Sequence, residues 1–274
     1  MIFLFVSAVQ LSYSQTKSDS DSFNSGAPKY SKAIEDNSFL MEEAYNQEEG
    51  IIQHISALMR DHFNNYVYTF TEEWPVFGQT HQLSATIPFS YFNSTSNSGL
   101  GDIYLNYRYQ LLGHDDWITS APRFSILLPT GNSEKGFGAD VTGFQVNVPV
   151  SKRLSDQFVM HLNLGFTTLP NSKAIIGEKE IKKTLTSYNY GISFIWLMNY
   201  RFNFMLEYVG NSLAEFDESG TVQHNFVHTL NPGIRYAIDI GDFQIVPGIA
   251  IPINFEKDGS NTNLLMYLSF EHSL

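Results

Sequence analysis

Arg108, Arg123, Arg235, Glu73, Glu207, Glu271, His54 and His161 are the residues of this chain whose types could do chemistry, and alternation places all eight on the polar side of otherwise apolar runs. Enclosed together where water is scarce, such groups must pair into a network. They could also line a path and set which charge travels along it. For each residue singly, structural filling is the simpler reading; for the set, an enclosed interior is the expected location. A catalytic reading needs a nucleophile beside a base. Ser and His are plentiful, but no Gly-x-Ser-x-Gly elbow occurs. His224 and His228 lie four apart, which on a strand separates them by about 13 Å, too far to share a metal ion. No catalytic residue, metal or cofactor is expected.

The elements that must carry these residues show a repeating rhythm. Segments of about ten residues alternate apolar and polar side chains, and the joints between them are alternately short and long. The short joints include Gly113-His114-Asp115-Asp116, Leu154-Ser155-Asp156-Gln157, Met198-Asn199-Tyr200-Arg201 and Asp239-Ile240-Gly241-Asp242. The long ones are Asn93–Gly99, Gly131–Asp140, Asn171–Lys183, Phe216–Asn225 and Glu256–Asn263. Period-two alternation with tight turns at one end and long loops at the other signals a transmembrane antiparallel up-and-down β-barrel.

The pattern predicts about twelve strands: 51–61, 65–76, 80–92, 101–112, 117–130, 140–153, 157–169, 184–198, 202–215, 224–238, 243–254 and 264–274. An even count returns both ends to one rim, the periplasmic one. The faces separate well. On 157–169, Phe158, Met160, Leu162, Leu164 and Phe166 oppose His161, Asn163, Gly165 and Thr167. A soluble sandwich would alternate too, but strands of twelve or more residues exceed the usual globular length of about 5–6. On the last segment Leu264, Met266, Leu268, Phe270, His272 and Leu274 share a face, as in barrels that close on a C-terminal amphipathic strand.

Composition agrees. Mean hydropathy is −0.16, and no apolar run approaches the roughly 20 residues of a membrane helix. Aromatics make up 15% and charged residues only 16%, as suits a wall with lipid on one side. Cysteine is absent, which fits an oxidising envelope compartment. The net charge of −12 with no Lys/Arg cluster argues against nucleic acid.

Residues 1–15 resemble the end of a secretory signal, with an apolar core Ile2–Val9 and cleavage near Ser14 or Gln15. Residues 16–30 read as a disordered linker. Within 34–49, Asn37 or Ser38 could cap a short helix that carries Glu42 and Glu43 early. It would sit against the periplasmic end of the barrel or partly plug it, a peripheral cap being the simpler arrangement.

Four stretches carry a family likeness. Asn37-Ser38-Phe39-Leu40-Met41-Glu42-Glu43-Ala44-Tyr45-Asn46-Gln47-Glu48 leads into Ile52-Gln53-His54; Gly101-Asp102-Ile103-Tyr104-Leu105-Asn106-Tyr107-Arg108-Tyr109 opens the fourth strand; Leu127-Leu128-Pro129-Thr130-Gly131-Asn132 ends the fifth, and Pro149-Val150-Ser151-Lys152-Arg153-Leu154 closes the sixth. These resemble the "MetA-pathway of phenol degradation"-like outer-membrane β-barrel family over most of 37–274. The resemblance implies a transporter of small hydrophobic or aromatic compounds.

The expected function is therefore a passive outer-membrane channel for small solutes. The alternative is a structural or surface-interaction barrel with a closed lumen. A solvated path between Arg108, Arg123 and Arg235 would favour transport; a lumen packed shut by residues 34–50 would favour the alternative. Expected partners are outer-membrane lipid, lipopolysaccharide, a small solute and the barrel-assembly machinery.

Overall fold

The computed structural model describes residues 38–113, 116–177, 179–241, 243–257 and 259–273. The expected signal segment and linker lie outside these residues. Twelve antiparallel strands form one closed sheet. They are β1 (Ile51–Arg60), β2 (Tyr66–Val76), β3 (His81–Phe92), β4 (Asn97–Leu100 and Ile103–Tyr109), β5 (Thr119–Ser120 and Arg123–Leu128) and β6 (Gly143–Ser155). There follow β7 (Phe158–Ile176), β8 (Lys179–Leu197), β9 (Phe202–Phe216), β10 (Val222–Tyr236 and Ile238–Ile240), β11 (Phe243–Ala250 and Ile253–Glu256) and β12 (Gly259–Thr262 and Leu264–Ser273). Closure is direct: β1 pairs with β12 from Ile51↔Ser273 to Arg60↔Leu264. Among the described residues no edge is left unpaired within the band that meets lipid, which is what a spanning sheet requires.

Alternation sorts the wall as a barrel demands. Along β7, Phe158, Leu162, Leu164 and Phe166 are exposed outward, whereas Val159, His161, Asn163 and Thr167 are buried. The outward aromatics stack across strands, Phe158 on Trp196 at 6.3 Å among them. At the short-turn rim, Lys152 lies 3.4 Å over the exposed Trp117 ring, an amphipathic pair suited to a membrane surface.

Three expectations are corrected. The polar stretch Asn171–Lys183 is not a loop: β7 and β8 stay paired through Lys182↔Lys173 to Lys179↔Ile176. Phe216–Asn225 and Glu256–Asn263 likewise hold strand on either side of tight turns. Polarity there marks where the chain leaves the lipid, and backbone pairing continues because it satisfies the main chain whatever the side chains are. Second, residues 38–50 contain no helix. The wall supplies partners for their backbone groups, which removes the need for internal helical bonds. Third, these residues lie inside the barrel and are not a peripheral cap.

One interruption of the wall is made by proline. Pro252 breaks β11 because it offers no N–H, and Ile251 and Asn263 donate around it to Pro232 and Pro252 at 3.0 and 2.8 Å. The break in β4 at Gly101-Asp102 serves the β5–β6 loop. The Asp102 carboxylate accepts the N–H groups of Gly131 at 2.9 Å and Ala139 at 2.8 Å, clamping both ends of that loop.

Candidate functional site in the barrel lumen

Residues 38–50 form a strap across the lumen near the short-turn rim, leading straight into β1. Inward side chains of the wall bind its backbone in sequence. Glu207 on β9 accepts from Leu40 and Met41 N–H at 2.8 and 3.1 Å, and Asn231 on β10 steadies the other carboxylate oxygen at 2.6 Å. Asn163 on β7 accepts from Glu42 N–H at 2.8 Å and donates to Glu42 C=O at 2.6 Å. Ser151 on β6 accepts from Ala44 N–H at 2.8 Å. Gln110 donates to Ala44 C=O at 2.7 Å and accepts from Asn46 N–H at 2.8 Å. Gln82 on β3 accepts from Gln47 N–H at 2.7 Å.

The physical logic is that a side-chain amide offers the same donor and acceptor as a peptide group. Asn163 and Gln110 therefore treat the strap as a neighbouring strand would. Each bond is worth about 0.5–1.5 kcal/mol net, but losing one partner in a buried site costs more, about 1–3 kcal/mol.

The strap's side chains match a wall of two halves. On the side built by β7–β12 and β1, the inward residues include an apolar cluster beside the polar ones: Ile55, Val159, Ile195, Met205, Val246 and Leu265 are all buried. Phe39 and Leu40 pack here. On the side built by β3–β6 the inward residues include Arg108 and Arg123. Glu43 meets Arg108, whose Nη1 lies 3.7 Å from its carboxylate and whose Nη2 donates to the Glu43 carbonyl. Glu42 pairs with Arg123, with Nε at 2.9 Å, while Asn106 and Gln145 take further guanidinium N–H groups at 3.0 and 2.8 Å. The run Phe-Leu-Met-Glu-Glu thus reads across the lumen from its apolar to its basic wall.

Strand glycines make room for it. A Cβ on Gly191 would sit 2.5 Å from Met41 Sδ, and one on Gly233 or Gly248 would sit 2.5 or 2.6 Å from the Phe39 ring. Glycine inside a strand marks such close approach.

The eight residues singled out from sequence divide seven to one. Glu73, Arg108, Arg123, His161, Glu207, Arg235 and Glu271 face the lumen. Glu73 is fully buried in the electrostatic neighbourhood of Arg108, Glu42 and Glu43. Glu271 accepts from Gln53 at 2.7 Å and contacts Gln47 at 3.5 Å. Arg235 is 1% exposed and lies in the neighbourhood of His161.

His54 does not face the lumen. It points outward, stacked on Phe270 at 4.5 Å, and its Nε2 is 3.1 Å from that of His272. On β1 the faces are inverted relative to side-chain polarity: Ile55 is buried inward because the lumen there is apolar, so its neighbour His54 must turn to the outer face.

Two Ser–His pairs exist among the described residues: Ser212 Oγ lies 2.9 Å from His224 Nδ1, between β9 and β10, and the other lies under the strap. Ser151 Oγ lies 2.7 Å from His161 Nδ1, and Tyr45 packs edge-on to that imidazole at 6.4 Å. Both residues are fully buried, and Ser151 Oγ is already bound by Ala44 N–H. Its geometry is that of an anchor for the strap.

The sequence allowed residues 34–50 to plug the barrel, but neither the strap's own residues nor the amides that bind it were among the expected site residues. The available signal was Gly191, Gly233 and Gly248, three glycines placed inside strands on inward positions.

A closed twelve-strand barrel with a lipid-facing apolar band and a filled interior defines an outer-membrane β-barrel. Its fold is similar to that of the COG4313 outer membrane channel from Pseudomonas putida F1, at TM-score 0.56 and 10% identity over 92% of this chain and 100% of that one. It is also similar to the NanC porin, at TM-score 0.52 and 9% identity over 81% and 100%. No protein of curated function matches the sequence. A family model described as "Putative MetA-pathway of phenol degradation" matches residues 50–270, and the chain belongs to that family.

Proposed function

We propose that this barrel is a passive outer-membrane channel for small solutes, hydrophobic and aromatic ones included, and that the strap holds it closed. A filled lumen by itself favours a closed barrel; the observation that carries the channel reading is what fills it. It is occupied by a segment held through side-chain hydrogen bonds and two ion pairs, with no strand of the wall turned inward to block it. A segment bound in that way can leave without breaking the barrel. The family and the fold neighbours, a porin and an outer-membrane channel by name, support the same reading. Twelve strands also give an interior between the side-chain-filled barrels of about eight strands and the open porins of about 16.

A second reading, a barrel whose lumen stays closed, has its own support. Arg108, Arg123 and Arg235 are at most 3% exposed, so no water path joins them in this state. Single-channel recordings in planar bilayers, with and without residues 16–50, separate the two. The channel reading expects small or intermittent currents from the whole chain and a steady conductance several-fold larger from the deletion. A deletion variant that inserts with heat-modifiable mobility and passes no current would leave the closed barrel as the function.

A further inference from the structure

Phe39 occupies a slot made by the wall and not by the strap. Gly233 on β10 and Gly248 on β11 flank the ring so closely that a methyl on either would overlap it. Tyr267 on β12 meets it edge to face, centroids 5.5 Å apart and planes at 67°. Ala250 and Leu265 complete the apolar surround. The edge of one ring on the face of another is an electrostatic match that an aliphatic group does not reproduce. The slot therefore selects a single aromatic ring by both thickness and quadrupole.

Its position matters as much as its shape. Phe39 stands one residue before the Glu207 grip on Leu40 and Met41, at the first described end of the strap. Ser38 adds a hydroxyl contact to Ser193 at 2.7 Å. Leu40 packs against the same apolar cluster and Met41 lies against Gly191, and the strap's remaining fastenings from Glu42 onward are mainly hydrogen bonds and ion pairs. The ring is thus the most enclosed apolar anchor of the strap, and it belongs to none of the barrel's own strand pairings.

We propose that the Phe39 slot is a binding site for a monocyclic aromatic solute, and that a solute ring entering it releases Phe39 and loosens the strap. This deepens the channel reading and rests on it. Phe39 acts as a tethered copy of the ligand ring. A short tether gives an effective concentration of about millimolar, so a free ring competes in that range and not at micromolar levels.

The test uses the whole chain in lipid, with 4-fluorophenylalanine at position 39 and phenol as the probe. Fluorine NMR should show the buried resonance giving way to a solvent-exposed one as phenol rises through the millimolar range. Open probability in planar bilayers should rise several-fold over the same range, and glycerol should do neither. In a Phe39→Ala background, where the slot is empty, phenol should bind, and adding Gly248→Ala should weaken that binding at least tenfold. A fluorine signal that stays buried while solutes pass would overturn the slot and leave the channel intact. Movement of the ring with no change in open probability would overturn its coupling to the strap. A strap-deleted barrel that never conducts would remove the channel reading itself.

Discussion

Arg123 and Glu42 form an ion pair deep inside the barrel, joining β5 to a strap residue 81 positions earlier, with both side chains at most 5% exposed. Neither charge has water to fall back on, so each depends on the other. Removing one partner of such a pair typically costs about 3–5 kcal/mol, because the survivor is left buried and unpaired.

Glu42→Ala should therefore release the strap more than its single side chain suggests. The midpoint of heat-modifiable gel mobility should fall, and Glu42→Ala/Arg123→Leu should recover part of the loss. Additive losses in that double-mutant cycle would show that the two residues act separately.

Ser151 and His161 should behave as an anchor. In the intact chain a fluorophosphonate should leave Ser151 unlabelled, since both groups are buried and Ala44 N–H already occupies the hydroxyl. Ser151→Ala should cost about 1–3 kcal/mol through the orphaned N–H and raise the open fraction of the channel. Labelling of the native protein would contradict this assignment.

His54 should tolerate loss of its imidazole. It stacks outward on Phe270, so His54→Leu should leave conductance and ion selectivity unchanged. A changed selectivity would return His54 to the lumen.

The β9–β10 turn should respond to acid. The Asp217 carboxylate accepts from the hydroxyl and N–H of Ser219, at 2.7 and 2.8 Å, and from Thr221 N–H at 2.8 Å. The Ser219 bond foremost, then that from Thr221, holds its pKa below the usual carboxylate value. A lowered folded pKa means the turn's extra stability is complete above the unfolded value near 3.9 and is lost as pH falls through the folded one. Amide exchange at Ser219 and Thr221 should speed up in that acid window, and Asp217→Asn should abolish the dependence.

Much of this was legible in advance because lipid is an exacting solvent. The outward row of β7, from Phe158 to Phe166, could be read directly since only apolar groups are stable there. Short joints such as that after Leu154 showed which end returns the chain to the first rim. The inner face was harder. A lumen accepts Ile55 beside apolar strap residues and Arg123 beside acidic ones, so polarity no longer reports direction, and His54 was misplaced for that reason. The strap was harder still. Its conformation is dictated by Asn163, Gln110 and Glu207, residues far along the chain, while its own Glu42 and Glu43 favour a helix start that the wall overrides.

The binding of the strap also constrains when this molecule can finish folding. Its fastenings come from β3 near the start through to Glu271 on β12, and β1, which follows the strap immediately, pairs with β12. No partial sheet presents all of those partners. The earliest described residues must wait for the latest, so seating the strap and sealing the seam are late steps of high contact order. Until the last hairpin arrives, Phe39, Leu40 and Met41 remain an exposed apolar segment in the path of whatever escorts the chain to the membrane.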